Sequence, residues 1–265
     1  MRLHINFIYF LLLLLFSSCK KESTQDSSLN NEFANGDPLI QVNISTNGVQ
    51  ILDEPKIDAK MTISFKDEEL HSENIAIEIR GKSSQMFPKK QYGFETRDQE
   101  NEDMDVSLLD MPEEEDWILQ APYSDKSLIR NVLIYDLSRE IGRYASRVKF
   151  VELTLNDVND GVYVFMEKLK RDKNRIDINK LKTSEISGED LTGGYIIKID
   201  KPDDQYTSLN SFVSEHSPYD PSGNNSIKFL YDTPDEEDIT PEQKEYISNY
   251  VKDFENTLAG ENFTD

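Results

Sequence analysis

Apolar and polar residues alternate along much of the chain, with the period of two that puts one face of a strand inward. Residues 39–45 alternate and run into Asn47-Gly48, a turn dipeptide. Residues 61–65 (Met-Thr-Ile-Ser-Phe) and 75–79 (Ile-Ala-Ile-Glu-Ile) alternate cleanly, and residues 92–96 form a shorter candidate. Residues 148–155 and 161–166 predict two strands, and the turn-forming cluster 156–160 between them predicts a hairpin. Strands are also expected at 195–199, after Gly193-Gly194, and at 227–231.

The period changes to 3.6 in two places. Leu128, Ile129, Val132, Leu133, Leu137 and Ile141 predict one apolar face on a helix over 125–141, with Ser124 or Asp125 as its cap and Gly142 as its stop. Arg130, Asn131 and Asp136 lie off or beside that face. Thr240-Pro241 opens a final helix by N-cap and N1 preference, with Tyr246, Ile247, Tyr250, Val251, Phe254 and Leu258 as its stripe. The expected class is α+β: mostly antiparallel strands, an inserted helix and a terminal helix. There is no internal repeat.

The amino terminus follows another pattern. An apolar run at residues 5–16, broken by Asn6, follows Arg2 and precedes Ser17-Ser18 and the single cysteine, Cys19. These are the parts of a secretory signal. The run is too short to span a bilayer core of roughly 30 Å as a helix. Small residues before a lone Cys resemble a bacterial lipobox, which implies lipidation of Cys19, although Phe16 stands where a Leu is usual. An ordinary cleaved signal with a chance cysteine is the alternative. Residues 19–37 are polar and aperiodic, as a flexible tether would be. The expected location is the bacterial envelope, lipid-anchored to the outer membrane on its periplasmic or cell-surface side.

Composition narrows the chemistry. The 265 residues hold 29 Lys+Arg against 51 Asp+Glu, a net charge of -22, which opposes binding to a nucleic-acid polymer. One Cys and 3 His leave no set for a Cys/His zinc site and no intrachain disulfide. Residues 98–116 hold ten acidic residues among nineteen but lack EF-hand spacing, so a solvated loop is expected rather than a calcium loop. His71 and His216 sit in polar sequence and make no triad. Carboxylates are too numerous for any pair to argue for or against a glycosidase.

One segment reverses the sign of the chain. Residues 80–90 (Arg-Gly-Lys-Ser-Ser-Gln-Met-Phe-Pro-Lys-Lys) combine a Gly, two hydroxyls and four cations between two strands. Free backbone N–H groups, hydroxyl donors and fixed positive charge are what an anion-binding loop needs. A P-loop is excluded, because Ala76 stands where its first Gly would be and no helix is expected to follow. A solvated hairpin loop remains the alternative. The other basic stretch, residues 167–175, carries no motif.

Four blocks in order resemble the spore coat protein H kinase family (CotH kinases). They are Arg80-Gly81-Lys82-Ser83-Ser84 with residues 87–92; residues 116–119 with 121–131; residues 150–153 with 161–168; and Gly193-Gly194-Tyr195 with 196–200. The resemblance covers about residues 38–260. It implies an atypical protein-kinase-like fold, binding of ATP with Mg or Mn, and phosphorylation of Ser on other proteins. Lys89 or Lys90 would then lie near the nucleotide phosphates, and Arg80, Gly81, Ser83 and Ser84 would shape their loop. The helix over 125–141 would stand where a kinase's regulatory helix stands, with Arg130 near its start. A hinge near Glu167 would meet adenine through its backbone.

The chain departs from the family pattern in one respect. The blocks that carry metal-holding and catalytic carboxylates are not found within residues 1–265, and the catalytic residues are expected beyond Asp265. The expectation is therefore an amino-terminal portion with an incomplete C-terminal lobe, no catalytic or metal-binding residue of its own, and little or no transferase activity. Scarce ATP outside the cytoplasmic membrane makes a non-catalytic surface module for polysaccharide or protein adhesion the alternative. A carbohydrate hydrolase has no sequence feature behind it.

Overall fold

Seven alternating segments close into one barrel in the computed structural model, which describes residues 38–201, 205–217 and 226–260. The strands are β1 (Ile40–Ser45), β2 (Ile57–Phe65), β3 (Glu68–Arg80), β4 (Gln91–Arg97), β5 (Asp116–Gln120), β6 (Val148–Leu155) and β7 (Val158–Glu167). Their order around the barrel is β1-β2-β3-β4-β5-β7-β6. Neighbours are antiparallel except at the seam, where β1 runs parallel to β6 with Val42 opposite Leu153. Closure leaves no unpaired sheet edge in the barrel. It also gives every strand one inner face, filled by Val42, Ile63, Ile77, Phe94, Trp117, Leu119, Leu153, Tyr163 and Phe165, all essentially inaccessible to water.

A smaller sheet follows: β8 (Ile196–Lys198), β9 (Ser211–Val213) and β10 (Lys228–Thr233), in the order β8-β10-β9. A terminal helix (Pro241–Ala259) packs Ile247 against Tyr231 and Ile239, with Tyr195, Ile197 and Phe212 around them. Its start is a complete capping box, Thr240 and Gln243 each bonding the other's backbone, with Pro241 in the first turn. Gly194 is required by its surroundings. Its φ is +86°, and a Cβ there would stand 2.5 Å from the carbonyl oxygen of Asn179.

Several expectations are corrected. The architecture is a mostly β protein with a closed seven-stranded barrel and two α-helices among the described residues, not a kinase-like α+β fold. Alternation within single strands is local. The pairing of β1 with β6, more than a hundred residues apart, turns the sheet into a barrel. Residues 116–120 are a strand missed because they form a continuous apolar run, as a strand covered on both faces does. The 156–160 turn contracts to Asn156-Asp157, both at positive φ, and β7 starts at Val158. Lipidation at Cys19, the leader and the tether lie outside the described residues, and so does Asp265. No described helix is long and apolar enough to cross a membrane.

The first helix also differs from expectation. α1 (Arg130–Glu140) begins five residues later, because residues 125–129 form a turn with Leu128 at positive φ; the terminal helix is α2. Val132 and Tyr135 pack on the outer wall of the barrel over Ile118, Val164 and Met166. Leu133 and Leu137 are half exposed, at 52% and 50%. A convex wall touches only a narrow stripe of a straight helix, so most of the expected apolar face stays partly exposed. Val132→Ala should therefore cost about 1 kcal/mol, whereas Leu133→Ala and Leu137→Ala should each stay within about 0.5 kcal/mol. Urea midpoints of the three variants measure the contrast, and equal losses would contradict this packing.

Candidate functional site

The β3–β4 connection is built around Gly81. Its φ is +93°, and the space a Cβ would fill is taken by the Ser84 hydroxyl. The chain can therefore fold back at once into a single 3-10 turn, Ser83–Met86. Gln85 ties this turn at both sides, donating to the Gly81 carbonyl at 2.6 Å and to Asp53 at 2.6 Å. The Lys90 ammonium closes it from inside, donating to the carbonyls of Gln85 at 2.6 Å and Phe87 at 2.9 Å. Phe87 packs on Tyr123 with ring centroids 5.0 Å apart, joining this loop to the β5–α1 loop.

Lys89 reaches over the barrel mouth. Its ammonium donates to the Val162 carbonyl at 2.7 Å and stands 4.3 Å from the centroid of the Tyr163 ring. The Tyr163 hydroxyl in turn donates its proton to Asp160, with the Lys90 carbonyl 2.8 Å away. Burial pulls the Lys89 ammonium below its ordinary value, with Asp160 opposing that shift. Both lysines named from the sequence are thus engaged with the protein's own oxygens.

Arg80 is placed differently. It ends β3 on the outer wall, its Cδ lying over Gly93 in the neighbouring strand. Tyr135 of α1, Asp200 and Glu78 stand around it, yet its guanidinium makes no hydrogen bond or ion pair with a described residue. Burial pulls its pKa down, against those three neighbours. Desolvating a cation is costly, and these neighbours offset that cost only in part. Ser83 starts the 3-10 turn three residues on. Its hydroxyl accepts from the Lys201 ammonium at 2.6 Å, a contact between positions 118 apart in sequence. Lys201 was not anticipated, because no local pattern links a residue after β8 to a loop after β3.

Arg130 starts α1 with its side chain 79% exposed, 3.5 Å from Asp125. Asp125 accepts from the Arg130 backbone N–H at 2.9 Å and from Ser127, and so caps the helix from five residues away. A small cleft between these residues is lined by Gln120, Pro122, Ser124, Leu128 and Asn131. The side-chain oxygen of Gln120 is buried, with no hydrogen-bond partner among the described residues.

Register separates these groups from Glu167. Arg80 pairs with Gln91, Tyr92 with Leu119, and Gln120 with Val164, so the loop, Arg130 and Lys89 share one end of the barrel. Glu167 pairs with Trp117 at the other end. It is fully buried, accepting from the Arg147 backbone at 2.8 Å, the Arg147 guanidinium at 2.7 Å and Tyr144 at 3.2 Å. Its own backbone N–H donates to the Arg147 carbonyl.

That far end also uses the two opposed charge runs. Lys170 bridges Glu114, Glu115 and Asp116 at 2.6–2.8 Å, Lys168 pairs with Asp116, and buried Arg175 pairs with Glu114 at 3.1 Å. Burial raises the Glu114 carboxyl. Burial also pushes Glu115 up, but its bonds to Lys170 and Asp105 outweigh that and hold it down to about 2. The end of the acidic segment is therefore a neutralised cluster rather than a solvated loop. Asp105, Glu114 and Glu115 form the one group of three carboxylates close enough for a single ion among the described residues. Lys170 already supplies a positive charge there, and the group lies at the end opposite Arg80.

A family model described as CotH kinase protein matches residues 77–265, from the second half of β3 onward. The match runs to Asp265, and among the described residues no group of three carboxylates lies at the Arg80 end. No curated protein matches the chain.

Proposed function

The chain belongs to the CotH kinase family, and from that premise we propose that the barrel end built by residues 80–90 and Arg130 binds the phosphates of ATP for transfer to a Ser hydroxyl of a protein substrate. The observation that carries this reading is the Arg80 guanidinium, half-buried and without a hydrogen bond or ion pair to a described residue, at the start of the loop whose Ser83 accepts from Lys201. In phosphoryl transfer most of the catalysis is positioning and charge stabilisation, so fixed donors are the groups required. Arg80 and Arg130 supply charge that no described residue fully neutralises. Lys89 and Lys90 act one step back, holding the loop by its carbonyls and by Val162. Gly81 and Ser84 set the fold-back that presents Ser83.

ATP supplies the phosphoryl group when bound, and the residues named here bind and orient its phosphate chain. A divalent ion does not fit among the described residues at this end. The carboxylates near Arg80 are Glu78, which pairs with Lys56, and Asp200, and the one triple carboxylate group is at the far end beside Lys170. We therefore assign no metal ligand and no catalytic base among the described residues. The lipid anchor on Cys19 and work at the bacterial envelope remain part of the same proposal, resting on the leader's pattern alone.

The test is thermal unfolding of the 265-residue chain with and without Mg-ATP or Mn-ATP. The expected result is an ATP-dependent rise in the melting temperature that is absent in Arg80→Met, while Arg80→Met without ligand melts close to the parent. No rise in the parent chain would overturn the nucleotide reading and favour the non-catalytic surface module.

A further inference from the structure

Resting on the nucleotide reading, we propose that Lys201 is a phosphate-binding residue of the same site, so that a polyphosphate is held jointly by the β3–β4 loop and by the segment leaving β8. Four observations lead there. Lys201 donates to Ser83 at 2.6 Å, and this is its only side-chain bond to a described residue. An ammonium has three N–H donors, so two remain for a ligand oxygen. Its neighbour Asp200 faces Arg80 without reaching ion-pair distance. Asp200 is itself fixed, accepting from the Lys201 backbone N–H at 2.8 Å and, through its carbonyl, from Tyr206 at 2.7 Å. The turn that aims Lys201 is thus held by bonds independent of Ser83.

Charge arithmetic favours an anion at this place. Lys201 bonds the Ser83 hydroxyl, Asp200 beside it lies near Arg80, and Glu78 is already shared with Lys56 at 3.5 Å. Among the described residues, Asp200 is one carboxylate set against the two cations Arg80 and Lys201. Cations are held together against their own repulsion where a multiply charged ligand completes the site. The Ser83–Lys201 bond is then the ligand-free resting contact, and a phosphate oxygen would accept from both groups at once. The ligand class is a di- or triphosphate chain, and adenosine alone should not sense Lys201.

The experiment uses the whole chain with three probes: Mg-ATP, inorganic tripolyphosphate and adenosine, each read by displacement of a fluorescent ATP analogue. Lys201→Met is expected to weaken Mg-ATP and tripolyphosphate at least ~10-fold and to leave adenosine unchanged, a loss of about 1.4 kcal/mol or more. Lys201→Arg should recover most of the loss, and Ser83→Ala, which removes the resting contact but keeps the cation, should lose less than Lys201→Met. Unchanged tripolyphosphate affinity in Lys201→Met, with Arg80→Met defective, would overturn the role of Lys201 while leaving the nucleotide site standing. Equal loss for Ser83→Ala and Lys201→Met, without rescue by Arg, would assign Lys201 to holding the loop and also overturn the proposal. If the parent chain binds neither ATP nor tripolyphosphate, both proposals fall.

Discussion

Arg175→Ala is expected to lower the unfolding free energy by about 3–5 kcal/mol, the range for removing one partner of a buried ion pair. The side chain of Arg175 is 1% exposed and that of Glu114, its ionic partner, 5%. One guanidinium nitrogen also donates to the Lys168 carbonyl and another to the Asp116 carbonyl, both at 2.7 Å, and the group lies 5.2 Å from the Trp117 ring. Truncation would leave the Asp116 carbonyl without this donor and open a void against Trp117. Lys170 would still neutralise Glu114 at 2.6 Å, which keeps the expected loss from exceeding this range. A paired substitution, Arg175→Met with Glu114→Gln, should recover part of the loss, because similar volume is kept and no charge is stranded. Urea unfolding followed by Trp117 fluorescence reports both variants. A loss below about 1 kcal/mol for Arg175→Ala would mean that the cluster is solvated and the far end of the barrel open.

The elements that could be read in the sequence were those with local causes. Alternation located the cores of β1, β2, β3, β4 and the β6–β7 hairpin, and Thr240-Pro241 located the start of α2 at the right residue. What escaped depends on partners far along the chain. Barrel closure needs β1 beside β6, and nothing in either strand's own pattern distinguishes that neighbour from solvent. The face of α1 was misassigned for a related reason: six apolar residues mark a helix, but the wall it meets decides which of them are covered. Of the candidate site, the loop was visible because its charge opposes that of the chain. The division of labour within it was not, since Lys89, Lys90 and Arg80 differ only in which oxygens the fold brings to them.

One signal in the sequence could have found the far-end cluster. The acidic run 113–116 leads into β5, and the basic run 168–175 leaves β7. Two such runs become adjacent whenever their strands pair antiparallel, as Trp117 and Glu167 do. Opposed charges at the matching ends of two strands are therefore a register signal as well as a composition. Here they account for Lys168, Lys170 and Arg175 without a ligand. That leaves Arg80, at the head of the 80–90 segment, as the half-buried cation without a hydrogen bond or ion pair to a described residue.

Gly81→Ala is expected to abolish ATP-dependent stabilisation while leaving the barrel folded. Two costs act on the variant. An L-residue at φ +93° is strained by about 1–3 kcal/mol, and the new methyl would occupy the space of the Ser84 hydroxyl. The loop can escape both by unfolding its single 3-10 turn, since that turn holds no buried residue and its ties are the Gln85 and Lys90 bonds. Losing the turn releases Ser83 from its place at the Lys201 ammonium, so binding fails although every charged group is still present. The ligand-free melting temperature should fall only slightly, because the barrel core from Ile77 to Tyr92 does not depend on the turn. The double variant Gly81→Ala/Ser84→Ala separates the two costs. It removes the collision and keeps the backbone strain, so binding should stay lost if φ decides the matter and return in part if the collision does. Parent-like ATP stabilisation in Gly81→Ala alone would show that the fold-back at this glycine is not what presents Ser83 to the ligand.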